Sequence, residues 1–190
     1  MEERALSTLK TILTERGLTG DNFDSVSSNL DETKIYSFGG ILVIFSTKAR
    51  ISEKDLNIFI EYAKENSYSN GTIIVGLSKP SDTVLTTLRN YVNQPEVPLV
   101  QIFEIRHLQI KYGHHLKVPK HRIVADAELA NILKATNAKD PSVFRKIDSQ
   151  DPMAKWTGAR PGDVLEVTGM CETSAENKRY LFCMADVTNG

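Results

Sequence analysis

All four histidines of the chain, His107, His114, His115 and His121, fall within fifteen residues. Imidazole is the commonest zinc ligand, so metal binding is the chemistry this cluster could do. No cysteine or carboxylate stands at ligand spacing beside them, and the adjacent His114 and His115 on an extended strand would point to opposite faces. The sequence therefore favours a structural hinge, in which His115 and His121 hydrogen-bond backbone across the Val118-Pro119 turn, and neither a metal nor a cofactor is expected. The same segment carries Lys111, Lys117, Lys120 and Arg122, with no acidic residue between His107 and Val124. These cations could contact nucleic-acid phosphates, each releasing condensed counterions. They could equally be a solvated linker, which the lack of stacking aromatics other than Tyr112 favours. Cys171 and Cys183 have no histidine near them in sequence, and Cys183 sits in an apolar run, so both read as buried structural thiols. Asp31, Glu32 and Lys48 flank one hairpin while Glu104 lies on another strand, a weak version of the acids and lysine a nuclease needs. No catalytic residue is assigned.

The densest stretch is Asp151 to Val167, DPMAKWTGARPGDVLEV. Pro152 fixes its own φ and biases Asp151 away from helix, leaving the Asp carboxylate to take backbone N–H groups. Met153, Ala154 and Trp156 give one turn of apolar surface, with the indole N–H available to a partner. Gly158 and Gly162 bracket Arg160-Pro161 as a tight loop, and Val164, Leu165 and Val167 are strand formers. The expected result is a rigid corner presenting Lys155 and Arg160, where a fork donor suits a carboxylate or carbonyl of another chain.

This run resembles the signature of the small subunit shared by eukaryotic and archaeal RNA polymerases (the fifth subunit in eukaryotes, and its shorter archaeal counterpart). A second stretch about thirty residues upstream, His115 to His121, is similar to that family's H-x-x-V-P-x-H. Matching positions are His115, Val118, Pro119, His121, Asp151, Pro152, Ala154, Lys155, Trp156, Gly158, Gly162 and Val164. The resemblance is close over 113–190 and architectural over 1–112. It implies a non-catalytic subunit whose C-terminal domain docks on the largest polymerase subunit through these positions and Arg160. It further implies an N-terminal lower jaw beside downstream duplex DNA, open to transcription regulators. Where the family carries R-P-S-E-T-A-G after the strand, this chain has Gly169 to Ala175, GMCETSA, keeping only Glu172 and Thr173. That divergence points to a remote lineage such as a large DNA virus. The expected location is the nucleus for a cellular protein, or a cytoplasmic virus factory, nucleus or virion for a viral one. Two other classes remain as alternatives: a free-standing DNA-binding regulator and a metal-dependent nuclease.

Composition agrees with a soluble, globular protein: 190 residues, 41% hydrophobic and 25% charged, with net charge −1. No global field advertises a nucleic-acid binder, so any such contact must be local. Residues 1–112 hold 12 basic and 14 acidic side chains, and 113–190 hold 11 and 10. The longest apolar runs, such as Ile41 to Phe45, are too short to span a bilayer, and no membrane association is expected. The charged start MEERALSTLK lacks the apolar core of a signal peptide. Two cysteines make no disulfide framework and suggest a reducing, intracellular setting.

The elements that must position these residues follow from periodicity. Helical spacing covers 2–16, and Thr19 to Asn29 reads as a loop. Gly39-Gly40 joins two β-prone runs, 34–38 and 41–45. Helices are expected over 52–66, with a capping-box-like Ser52 and Asp55, and over 81–93. Strands are expected over 72–77 and 97–105, the last resuming near Ile110. The fold class is thus an α/β N-terminal domain (1–112), a mixed sheet flanked by helices. A small α+β C-terminal domain (113–190) follows. Within it, Ile123-Val124 is a short strand, Asp126 caps a helix to about Thr136, and Pro141 to Gln150 is a connector. A strand begins at Val164, a polar loop covers 172–178, and an apolar strand covers 180–185. No phosphate-binding glycine motif opens either N-terminal helix.

Overall fold

The Gly-Gly hairpin anchors the first half of the chain. In the computed structural model, which describes all residues except 21, 28, 29, 69, 95, 171–175 and 187–190, β2 (Thr33–Phe38) and β3 (Ile41–Ser46) pair antiparallel across it. Gly39 and Gly40 both take positive φ, 54° and 79°, as a two-residue turn matched to strand twist demands. The chain forms two compact units, Met1–Lys111 and Tyr112–Gly190.

In the first unit, β4 (Thr72–Gly76) and β5 (Val100–Glu104) extend the hairpin as parallel strands. They are reached through α2 (Glu53–Glu65) and α3 (Asp82–Val92). Parallel neighbours need such crossovers. Ser52 caps α2 in a complete capping box with Asp55, and Leu56, Phe59, Ile60 and Ala63 form its buried stripe. Together with Val84, Leu88 and Val92 of α3, this stripe covers Ile44, Ile74 and Ile102 of the sheet. The other face carries the row Tyr36, Val43, Ile73 and Gln101. There α1 (Glu2–Glu15) is bonded at both ends. Glu2 accepts from Tyr36 at 2.7 Å, and Arg16, just past the helix, donates to Gln101 at 2.7 Å.

Two expectations fail here. The segment read as a loop over 19–29 contains a strand, β1 (Asp24–Val26), at the sheet edge on β2, giving the order β1-β2-β3-β4-β5. Only three residues pair and none is buried, so no periodicity announced it. The expected return to strand near Ile110 is instead a 3₁₀ turn, His107–Gln109, which leaves Ile110 68% exposed.

The second unit is a four-stranded sheet ordered β6-β8-β9-β7. Its strands are β6 (Lys120–Ile123), β7 (Arg145–Asp148), β8 (Val164–Gly169) and β9 (Asn177–Met184). Two helices, α4 (Asp126–Ala135) and α5 (Pro152–Thr157), complete the α+β arrangement. The connector expected over 141–150 contains β7, which pairs parallel with β9. Its single apolar residue, Ile147, gave no alternation to read. Asn177 and Lys178, assigned to the 172–178 loop, lie in β9, and residues 172–175 of that loop fall outside the described residues. Ala125, not Asp126, is the N-cap of α4, and no side chain caps it. The apolar face of α4, with Leu129, Ile132 and Leu133, is only half-buried. Ala154 and Ala159 pack on Leu165 and Cys183 as the unit's small core. Among the described residues, no helix is long and apolar enough to cross a membrane.

Candidate partner-binding corner

Asp151 to Val164 folds as a short helix, a left-handed stop and a turn into β8. The Asp151 carboxylate accepts the Met153 N–H at 2.8 Å as N-cap, with Pro152 at the first helical position, where its missing N–H costs nothing. Gly158 ends α5 at φ 79°, the left-handed conformation that glycine adopts without strain. The Asp163 carboxylate accepts the Arg160 N–H at 2.7 Å and closes the turn. Gly162, at φ 101°, donates its N–H to the Cys183 carbonyl, and Cys183 donates back to the Asp163 carbonyl. Burial raises the Asp163 carboxyl above its ordinary value and pushes the Cys183 thiol up to about 12. Such a thiol is inert as a nucleophile. Cys171 lies outside the described residues.

Trp156 departs from expectation. It is 4% exposed, with its ring against Tyr112 at 4.7 Å between centroids and near His114 at 5.9 Å. A side chain of this size in a small domain with little other apolar volume is needed for the core. It is therefore a packing residue, and its indole is not offered outward. Ala154 is buried as well, and Val164 is 3% exposed, while Lys155 and Arg160 are half-buried along the turn. Tyr112, three residues before the upstream motif, donates its hydroxyl to the Pro152 carbonyl of this corner at 3.0 Å.

That upstream motif is a turn followed by β6. His115 Nδ1 accepts the Lys117 N–H at 3.2 Å, and His121 Nδ1 meets the Pro119 carbonyl at 2.8 Å. Val118 and Pro119 are half-buried, while Leu116 between the motif's ends is 98% exposed. Among the described residues, no group of three or more His, Cys, Asp or Glu could hold a metal.

The four cations separate. Lys111, Lys117 and Lys120 are exposed. Arg122, on β6 and not in a linker, forms a fork on Glu166, with Nε and Nη2 each 3.1 Å from a carboxylate oxygen, and also bonds Glu128 at 2.9 Å. Glu166 is 5% exposed. The Arg122 bonds, then the nearby charges of Arg122 and Lys178, hold its carboxyl below the ordinary range against the cost of burial. This cluster escaped sequence reading because Arg122 and Glu166 lie 44 residues apart. In the first unit Lys48 is bonded to Asp55 at 2.5 Å, while Glu104 faces Arg106 at 3.7 Å. Lys48 and Glu104 thus have partners outside that set, while Asp31 and Glu32 are nearby charges on Lys48. Glu172 and Thr173 lie outside the described residues.

Comparison with known proteins bears on the same region. Residues 110–183 match the family model described as RNA polymerase Rpb5, C-terminal domain, and both motifs lie inside that span. A DNA-directed RNA polymerase subunit Rpo5 from Aeropyrum pernix is 38% identical over 71 residues, 37% of this chain and 78% of that protein. The Rpo5 of Archaeoglobus fulgidus is 33% identical over 73 residues, 38% of this chain and 95% of that protein. A subunit of DNA-directed RNA polymerases I, II and III from Dictyostelium discoideum is 24% identical over 144 residues, 76% of this chain and 72% of its own length. That span exceeds the second unit, so the similarity extends into the first.

Proposed function

The chain belongs to the family of RNA polymerase subunits that includes archaeal Rpo5 and Rpb5, and from that premise we propose that it is a non-catalytic subunit of a multi-subunit DNA-directed RNA polymerase. In this reading the second unit docks on the largest subunit, through the Asp151–Val164 corner and the turn at His115–His121. The observation that carries it is that both motifs fall in the 110–183 match, with the Tyr112–Pro152 hydrogen bond tying the residue three before the first motif to the start of the second. The first unit is the jaw beside downstream duplex DNA and a surface for transcription regulators. The reach of the Dictyostelium match into this unit supports that part. Exposed Lys111, Lys117 and Lys120 are the candidates for phosphate contact. The workplace would be a nucleus, or the factory, nucleus or virion of a virus.

The test is affinity isolation of the tagged chain from its native cell or infected host, with the co-isolated proteins identified by mass spectrometry. The largest polymerase subunit is expected in near-stoichiometric yield; a chain recovered alone overturns the proposal. Leu116→Asp, at a fully exposed position where the core is untouched, and Arg160→Glu are expected to lower that yield. Trp156→Ala is unsuitable here, because it destabilises the domain that docks.

A further inference from the structure

β6 ends the second sheet on one side, next to β8 alone. Its register pairs Lys120 with Thr168 and Ile123 with Leu165, and one step on the Val124 N–H donates to the Val164 carbonyl at 2.8 Å. In an antiparallel pair, residues that bond across alternate with residues whose N–H and carbonyl turn away. Val124, Arg122 and Lys120 therefore bond β8, while His121 and Ile123 turn their backbone groups outward. Among the described residues these outward groups have no backbone partner. The open stretch stops at Pro119, whose carbonyl meets the His121 ring, and at Ala125, whose carbonyl accepts from Glu128 and Leu129. Within it the Ile123 side chain is 38% exposed. The opposite edge, β7, is more closed: the Phe144 N–H donates to the Pro141 carbonyl, and the Asp148 carbonyl accepts from Asp151.

We propose that an extended segment of another polypeptide adds to β6 as an antiparallel fifth strand of this sheet. Its residues bond the N–H and carbonyl groups of His121 and Ile123, and strand addition of this kind takes affinity from main-chain bonds and specificity from alternate side chains. An apolar residue of the segment stands opposite Ile123, and an acidic residue three positions later stands opposite Lys120. The inference rests on the polymerase-subunit reading and adds how the partner chain is seated. His121 belongs both to β6 and to the upstream motif, so the turn assigned to docking runs straight into this edge. Charge selects the occupant. Lys117 and Lys120 are exposed, and no acidic residue lies between His107 and Val124. A second copy fits badly, because the two-fold register that bonds both outward residues of each strand sets Arg122 opposite Arg122, a like-charge pair.

The experiment isolates the full tagged chain with its partners from the native cell and reads hydrogen exchange at single amides, by electron-transfer fragmentation, in the free chain and in the complex. In the free chain the His121 and Ile123 amides are expected to exchange faster than those of Arg122 and Val124. In the complex they are expected to slow at least about tenfold. Ile123→Pro removes one outward N–H, leaves the bonds to β8 in place, and is a change an edge strand tolerates. It is expected to lower the recovered largest subunit at least about fivefold, because a partner carbonyl loses its donor. Ile123→Thr, which keeps the N–H, is expected to lower it less. Urea midpoints from Trp156 fluorescence report folding, and if the proline variant unfolds, the exchange comparison decides alone. A largest subunit that co-isolates while both amides stay as fast as in the free chain sinks this inference alone. Protection of both amides by a chain from outside any polymerase sinks the polymerase reading alone. Protection within a complex of two copies of this chain, or full yield from a folded Ile123→Pro chain, overturns the proposal. A chain recovered alone sinks both.

Discussion

Trp156 and Gly113 are a matched pair. A Cβ built on Gly113 would stand 2.4 Å from Trp156 Cε2, and the indole, 4% exposed, has no room to retreat. Glycine is thus required at position 113 by proximity to a ring. Removing the ring leaves a cavity beside Tyr112, Gly113 and His114, against which it packs. Trp156→Ala is expected to destabilise the second unit by about 3–5 kcal/mol, and Gly113→Ala, which overpacks the same spot, by about 1–3 kcal/mol. Because the methyl of the second would partly fill the hole left by the first, the double variant should cost less than the sum. Chemical denaturation followed by circular dichroism measures all three. Strict additivity would show that the two positions do not share one packing site. The sequence made Trp156 conspicuous through its Pro and Gly neighbours but not its direction, because an indole serves a core and an interface equally well. What decides between them is the non-local approach of Tyr112 and Gly113, and spacing cannot show that.

At the scale of elements, Arg122 is the joint. It sits on β6, forks onto Glu166 of β8 and reaches Glu128 in the first turn of α4, so one guanidinium holds two strands and a helix that buries no residue of its own. Glu166 accepts from Arg122 and lies 3.5 Å from Lys178 of β9, so its folded carboxyl sits below its ordinary value of 4.5. A depressed carboxyl stabilises the fold fully above that ordinary value, and the contribution is lost as pH falls through the lower folded value. Glu166→Gln is therefore expected to cost about 1.5–3 kcal/mol near neutral pH, the range for hydrogen bonds to a charged group. The gap to wild type should close as pH falls below the ordinary value of 4.5 and through the lower folded one. Trp156, the only tryptophan, reports the second unit alone in urea titrations of the whole chain. A gap independent of pH would mean that Glu166 acts by shape and not by charge. Elements made by local chemistry were legible: the Gly39-Gly40 hairpin, the Ser52 cap and the buried stripe of α2. Those made by distant pairing were not. β1 is three residues that become a strand only beside β2, and β7 offers Arg-Lys-Ile-Asp, extended because β9 lies alongside in parallel.

At the scale of the whole molecule, each unit has a core cluster of its own. One is assembled from residues between Ile35 and Ile102, the other from residues between Ile147 and Cys183. Between β5 and β6 the backbone makes two 3₁₀ turns and the His115–Val118 turn, and Lys111 and Lys117 are exposed on either side of the second 3₁₀ turn. Proteolysis needs a segment that can leave its ladder, and these two bonds belong to no helix or strand. Lys120 and Arg122 are a few residues away, but β6 pairs them with Thr168 and Glu166 of β8, so cleavage there first requires tearing an edge from the second sheet. Brief trypsin treatment of the intact chain is expected to cut first after Lys111 or Lys117, leaving two resistant fragments, the second beginning at Tyr112 or Val118. Mass spectrometry of the early time points reads this directly. First cuts after Lys120 or Arg122, or inside α2 or α3, would mean that β6 or the first core opens more readily than the connection. The division of the chain into two independently stable units would then be wrong.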